Sequence, residues 1–192
     1  FPEPHDFIPL AEEMSIIRDI DYLVLREAAR QLKVWRKKFE LAKNIKMNIN
    51  LSGIHFNSTA ILAEIGHVLK DNKLSNDSLQ IELTEGVIMD NTGRSTEIFH
   101  VLSQLGVHIS IDDFGVGYLS LCRLTKLPVD MLKIDRGFVQ SMIVDSSSLN
   151  ITRAIIDLAH DLDMEVIAEG VETQGQFQIL SRMGCHYAQG YY

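Results

Sequence analysis

Strand-like and helix-like stretches alternate along these 192 residues with almost nothing between them. Apolar or alternating runs fall at 45–51 (IKMNINL), 79–84 (LQIELT), 107–111 (VHISI), 130–134 (DMLKI), 164–168 (MEVIA) and 185–189 (CHYAQ), the patterns of buried or half-buried strands. Amphipathic helices are predicted between them. Leu25, Ala28, Leu32, Trp35 and Phe39 are spaced 3, 4, 3, 4, which puts them on one helical face, and Ile151, Ile155, Leu158 and Leu162 are spaced 4, 3, 4. Ile98, Leu102 and Leu105 run into Gly106, and Phe177, Leu180 and Met183 run into Gly184, the expected C-terminal glycine stops. Strands joined through short links by helices lie parallel, because a parallel neighbour is reached only by a crossover connection.

Six such strands suit an open doubly wound sheet or most of a closed barrel. No GxGxxG follows the first strand and no P-loop occurs, so the nucleotide-binding open sheets lose their main signature. A closed eight-stranded barrel takes about 250 residues, and this chain is shorter by roughly two strands' worth. The first long helix has no strand ahead of it, and the chain stops right after the sixth strand. The expectation is therefore an α/β barrel lacking its N-terminal strands and its last helix, one domain over 1–192 that is incomplete at both ends. The chain opens on Phe1 rather than Met, which reads as a piece cut from something longer.

A hydrophobic content of 46% and four prolines suit a single ordered core. A net charge of −8 argues against gripping a nucleic-acid duplex through its phosphates. A small phosphate-bearing ligand remains compatible if metal ions supply the positive charge. Cys122 and Cys185 lie far apart with no CxxC spacing and are expected to be reduced core residues of a cytoplasmic protein. No apolar run approaches the roughly 20 residues of a membrane span, and no signal peptide is seen.

The strand ends carry the chemistry. In a parallel barrel they converge on one face, where the loops build the site. Here they offer Asn50, Glu82 and Glu85, Asp112 and Asp113, Lys133 and Asp135, Glu169 and Glu172, and Gln189. Each has a bland reading when taken singly. An Asn or Gln at a strand end is more often a turn residue, Lys133 suits a structural ion pair as well as a catalytic role, and Glu85 and Glu172 suit helix N-termini. Six polar strand ends in register point further, to the oxygen ligands of a hard divalent cation. Zinc is disfavoured, because the seven histidines form no HxH or HExxH pair. Two Mg²⁺ or Mn²⁺ ions about 4 Å apart, bridged by one aspartate, would hold Asp112 and Asp113 both ionised.

These motifs resemble a known family. "FIPLAEE" (7–13), "NLS" (50–52), "IELTEG" (81–86), "IDDFGVGY" (111–118), "LKIDRGFV" (132–139), "AEGVET" (168–173) and "QGYY" (189–192) are similar, in order, to the EAL family of bacterial cyclic di-GMP phosphodiesterases. The resemblance implies a TIM-like (β/α)8 barrel that hydrolyses cyclic di-GMP to linear pGpG with two divalent ions, Mg²⁺ or Mn²⁺, and is inhibited by Ca²⁺. It implies Asn50, Glu82 and Asp112 as ligands of the first metal, and Asp112 and Asp113 as bridge and ligand for the second. It makes Glu169 a general base or second-metal ligand, and Lys133 the holder of attacking water and phosphate. Asp135, Glu172 and Gln189 become supporting positions, and Glu85 the residue that steadies the loop after the aspartate pair. A homodimer and fusion to sensory or GGDEF-type domains are implied in the same way, while a membrane anchor elsewhere in the full protein is left open.

Two loop residues depart from the family pattern. Val116 stands where a small residue or Thr is usual, and Leu119 where Ser is common, so altered loop stability is expected. The Glu-Ala-Leu segment itself is not in this sequence, and its glutamate is expected on a strand upstream of Phe1. Two other functions fit parts of the pattern: a catalytically degenerate cyclic di-GMP receptor or protein-interaction module, and an unrelated metal-dependent barrel of the aldolase or enolase kind.

Overall fold

The structure is a computed structural model and describes residues 3–89, 93–117 and 120–192. In chain order its elements are α1 (Pro4–Glu13), α2 (Ile17–Lys38), β1 (Met47–Asn50), α3 (Ala60–Asn72), β2 (Leu79–Thr84), α4 (Glu85–Met89), α5 (Gly93–Gln104) and β3 (His108–Phe114). They continue with α6 (Leu121–Leu124), β4 (Met131–Ile134), α7 (Arg136–Ser141), α8 (Ser146–Asp161), β5 (Glu165–Glu169), α9 (Gln174–Arg182) and β6 (Tyr187–Gln189). The chain divides into two compact units, residues 1–83 with 91–108 and residues 84–90 with 109–192.

In the first unit β1 pairs parallel with β2, from Met47 opposite Leu79 to Asn50 opposite Glu82. Helix α2 packs over β1 and against α3, burying Leu25, Ala29 and Leu32 completely. Each such leucine contributes about 1.5–3 kcal/mol. The predicted stripe is corrected at three places. Ala29 takes the core position expected of Ala28, Trp35 is 38% exposed, and Phe39 lies beyond the helix in extended backbone, 49% exposed. A 3.6-residue repeat drifts away from a strict 3, 4 spacing over several turns, and the chain leaves the helix before Phe39 could return to the buried side.

Asp21 of α2 is a buried polar residue in this unit. It accepts the Ser52 backbone N–H at 3.0 Å and faces His55 Nε2 at 2.9 Å. Together these bonds pin the turn that follows β1.

In the second unit β3, β4, β5 and β6 pair in that order, all parallel. Helices α7 and α8 pack on β5, and α8 also packs on β4. The core gathers Ile111, Leu132, Ile134, Ile155, Ile156, Val166, Ala168 and Leu180. All four residues of β4 are buried, the mark of a strand covered on both faces. Gly106 and Gly184 adopt φ of +84° and +81° just past α5 and α9, the stops read from the sequence.

Two expectations are corrected in this unit. Cys122 is exposed rather than in the core, because α6 is a single short turn that buries only Leu124. Strand β6 starts at Tyr187, not Cys185, since the His186 ring takes a ladder position: Val166 N–H donates to His186 Nδ1 at 3.1 Å. Among the described residues no helix is long and apolar enough to cross a membrane.

Candidate metal centre

Lys133 is 5% exposed in the middle of an otherwise apolar strand. A lysine is almost never buried without a charged partner, and Lys133 has two. Its Nζ lies 2.9 Å from Asp112 Oδ1 and 2.7 Å from Glu169 Oε1. The ladders account for this. Lys133 follows Leu132, which stands opposite Ile111, so Asp112 comes level with it on one side. On the other side Lys133 pairs with Ile167, two residues short of Glu169.

Successive side chains on a regular strand point to opposite faces, so Asp112 and Asp113 should diverge. A bulge prevents that. Ile111 pairs with Leu132 and Phe114 with Ile134, so the two aspartates on β3 stand against Lys133 alone on β4. Asp113 absorbs the extra residue in the left-handed region at φ 52°, a conformation that aspartate tolerates better than most side chains. The Asp113 N–H also donates to Asp112 Oδ1 at 3.1 Å. Bulges re-aim side chains in this way. As a result, one carboxylate oxygen from each of Asp112, Asp113 and Glu169 lies within 4.8 Å of the others.

This cluster is short of positive charge. The Asp113 carboxyl is held above the ordinary aspartate range, first by burial and then by the charges of Asp112, Asp135 and Glu169, with Lys133 opposing. Among the described residues the cluster offers three converging carboxylates and no histidine or cysteine, the donor type a hard divalent cation prefers. The donor set fits.

Around the cluster, Glu85 is 5% exposed at the start of α4. Its Oε2 accepts the N–H groups of Gly115 and Gly117 at 3.3 and 3.2 Å, clasping the turn after the aspartates. Gly117 stands so close that a Cβ would lie 2.8 Å from Glu85 Cδ, which explains why the turn has no side chain there. Val116 is 63% exposed, and Leu119 falls outside the described residues.

Asp135 caps α7, its Oδ1 accepting Gly137 N–H at 2.8 Å. Glu172 Oε1 accepts from Gln140 Nε2 at 3.0 Å. Gln189 is exposed and pairs in register with Glu169 at the end of β5 and β6. In the first unit Asn50 and Glu82 stand side by side in register, and Glu82 Oε1 accepts from Asn48 Nδ2 at 2.9 Å. Sequence reasoning missed Asn48 and Gln140. Neither has a local signal, since their partners lie 34 and 32 residues away.

The whole chain, residues 1–192, matches the EAL domain family. The chain belongs to that family. It is 40% identical over 188 residues to the bifunctional diguanylate cyclase/cyclic di-GMP phosphodiesterase MucR of Pseudomonas aeruginosa, covering 98% of this chain and 27% of that protein. It is 38% identical to the signaling protein YkoW of Bacillus subtilis, covering 98% and 23%. The EAL chain thus spans about a quarter of the length of these relatives.

Among solved structures it matches a PaMucR phosphodiesterase in complex with c-di-GMP at a TM-score of 0.92 and 39% identity, over 98% of this chain and 75% of that one. The EAL domain of Mycobacterium smegmatis DcpA matches at 0.84 and 36%, over 90% and 77%. The fold class is the one expected, α/β of the TIM-like (β/α)8 type represented in part, and membership of the EAL family displaces the aldolase or enolase reading.

Proposed function

We propose that this EAL chain is the catalytic part of a phosphodiesterase that hydrolyses cyclic di-GMP to linear pGpG. One observation carries the reading: the β3 bulge turns Asp112 and Asp113 toward Glu169, with Lys133 between. Asp112, Asp113 and Glu169 would hold Mg²⁺ or Mn²⁺. Asn50 and Glu82, a carboxamide and a carboxylate side by side, are proposed as further oxygen donors to a divalent cation. When bound, a pair of such ions supplies acidification of the attacking water and charge neutralisation at the phosphate.

The chain's own residues do the remainder. Lys133 Nζ presents its charge where an equatorial phosphate oxygen gains negative charge. Glu169, when not ligating, accepts the proton of the attacking water. The water oxygen bonds to phosphorus in line, the bond to the 3′-oxygen breaks, and the leaving oxygen takes a proton from solvent. Glu85 holds the turn behind the aspartates, and Asp135, Glu172 and Gln189 support the segments around the cluster. Inhibition by Ca²⁺, a homodimer, a cytoplasmic location, and fusion to sensory or GGDEF-type domains belong to the same proposal.

Binding without hydrolysis is the less favoured reading. Relatives at 36% and 33% identity, NbdA and PA2567 of Pseudomonas aeruginosa, are named cyclic di-GMP phosphodiesterases. The test is to incubate the full-length protein with cyclic di-GMP and Mn²⁺ and to resolve the products by chromatography. pGpG is expected, and EDTA should abolish it. A folded, Mn²⁺-loaded protein that leaves the dinucleotide intact would sink the proposal.

A further inference from the structure

We propose that Gln176 is a positioning residue for the acid cluster. It fastens the segment carrying Glu169 and Glu172 to α7, the helix that follows Lys133. The inference rests on the phosphodiesterase reading above and deepens it.

Gln176 lies in the first turn of α9 and is 4% exposed. A buried carboxamide needs partners for both its ends. Oε1 accepts the N–H of Glu172 at 2.8 Å and that of Thr173 at 2.9 Å. Nε2 donates to the Val139 carbonyl of α7 at 3.2 Å, and the Gln176 N–H donates to Thr173 Oγ1 at 3.3 Å. In an ordinary capping box the third-position glutamine takes only the N–H of the cap residue. Gln176 also takes the N–H before the cap and reaches a second helix, so capping alone does not account for it.

Two further contacts lie along the same seam. Gln140 Nε2 donates to Glu172 Oε1 at 3.0 Å. Gly170, at φ +72°, packs so tightly that a Cβ would stand 2.8 Å from Arg136 Cβ. Residues 170, 172 and 176 therefore meet residues 136, 140 and 139 of α7. The β4–β5 ladder ends with Ile134 opposite Ala168, one residue short of Glu169. Beyond that point the seam ties the chain after Glu169 to the helix rooted at Lys133, and so supports their 2.7 Å pair.

Hydrogen bonds that orient metal ligands from behind typically change metal affinity about 10–100-fold. In the full chain, Gln176→Leu removes every side-chain bond at similar volume. Gln176→Glu keeps oxygens for the Glu172 and Thr173 N–H groups and loses the amide donor to Val139. Mn²⁺ affinity by calorimetry without substrate, kcat and KM for cyclic di-GMP, and the unfolding temperature are measured together.

The expected result for Gln176→Leu is Mn²⁺ binding weakened about 10–100-fold, with kcat lowered and KM little changed, and Gln176→Glu falling between it and wild type. Should the leucine variant not fold, the glutamate variant decides by the same readouts. Folded variants with wild-type Mn²⁺ affinity and kcat overturn the inference alone. A wild-type chain that neither binds Mn²⁺ nor turns over cyclic di-GMP overturns the functional reading, and this inference with it.

Discussion

Gly117→Ala should loosen the turn behind the aspartates from within. The added Cβ would stand 2.8 Å from Glu85 Cδ and 2.9 and 3.1 Å from its two oxygens. No carbon can rest there, so the Glu85 carboxylate, the end of a flexible side chain, must shift and strain its bonds to the Gly115 and Gly117 N–H groups. Hydrogen bonds to a charged group contribute about 1.5–3 kcal/mol each, and losing both of these long ones sets an upper bound of about 3 kcal/mol. For a domain of this size that corresponds to an unfolding temperature lowered by about 6–12 °C.

Thermal denaturation of the full chain reads the effect, with Val116→Ala as the neighbouring control. Val116 is 63% exposed, and its change should stay within about 0.5 kcal/mol. A double-mutant cycle supplies the sharper test. Once Glu85→Ala has removed the carboxylate, Gly117→Ala should cost little, giving a coupling of about 1–3 kcal/mol. Additive effects of the two changes, or a Gly117→Ala protein as stable as wild type, would show that the glycine–carboxylate contact does not hold the turn.

The other expectations concern charge. Lys133→Met leaves Asp112 and Glu169 without their shared cation. It should destabilise the metal-free protein by about 1–3 kcal/mol, less than a fully buried broken pair because both acids are partly exposed. Mn²⁺ should restore part of that stability, while turnover falls about 10²- to 10³-fold. Unfolding with and without Mn²⁺, beside steady-state kinetics, checks both halves.

Asp113 is held above its unfolded value of 3.8, so the native state binds the proton more tightly than the unfolded state within that window. Its contribution to stability therefore falls as pH rises through the window, and the loss is complete above the raised value. Mn²⁺ competes with the same proton. Its stabilising effect should be full at neutral pH and fade on acidification, and a shift that stays constant through the acid range would contradict this.

In the first unit, Asp21→Ala removes the acceptor for the Ser52 N–H and the buried His55 ring. A loss of about 2–4 kcal/mol is expected, read as faster amide exchange in the turn after β1.

Much of this was legible in the sequence because the signals are local. Parallel strands follow from alternating patterns, and helix stops follow from glycines at residues 106 and 184. The polar residues 112, 133 and 169 could be named because Asp112 and Glu169 close short apolar runs and Lys133 interrupts one. Two of the misplaced residues fail because of helix length. Phe39 and Cys122 are apolar in character, yet the helix ends too early or is too short to bury them.

The parallel strands and the acids near their ends are readable along the chain, since both depend on repeats of two and 3.6 residues. The tertiary structure decided that neighbouring aspartates share one face, through an extra residue at φ 52° opposite Lys133. It also decided that Glu85 and Gln176 reach partners 30 and 37 residues away. A bulge and a long-range hydrogen bond depend on what the rest of the chain places opposite, and no local pattern records that.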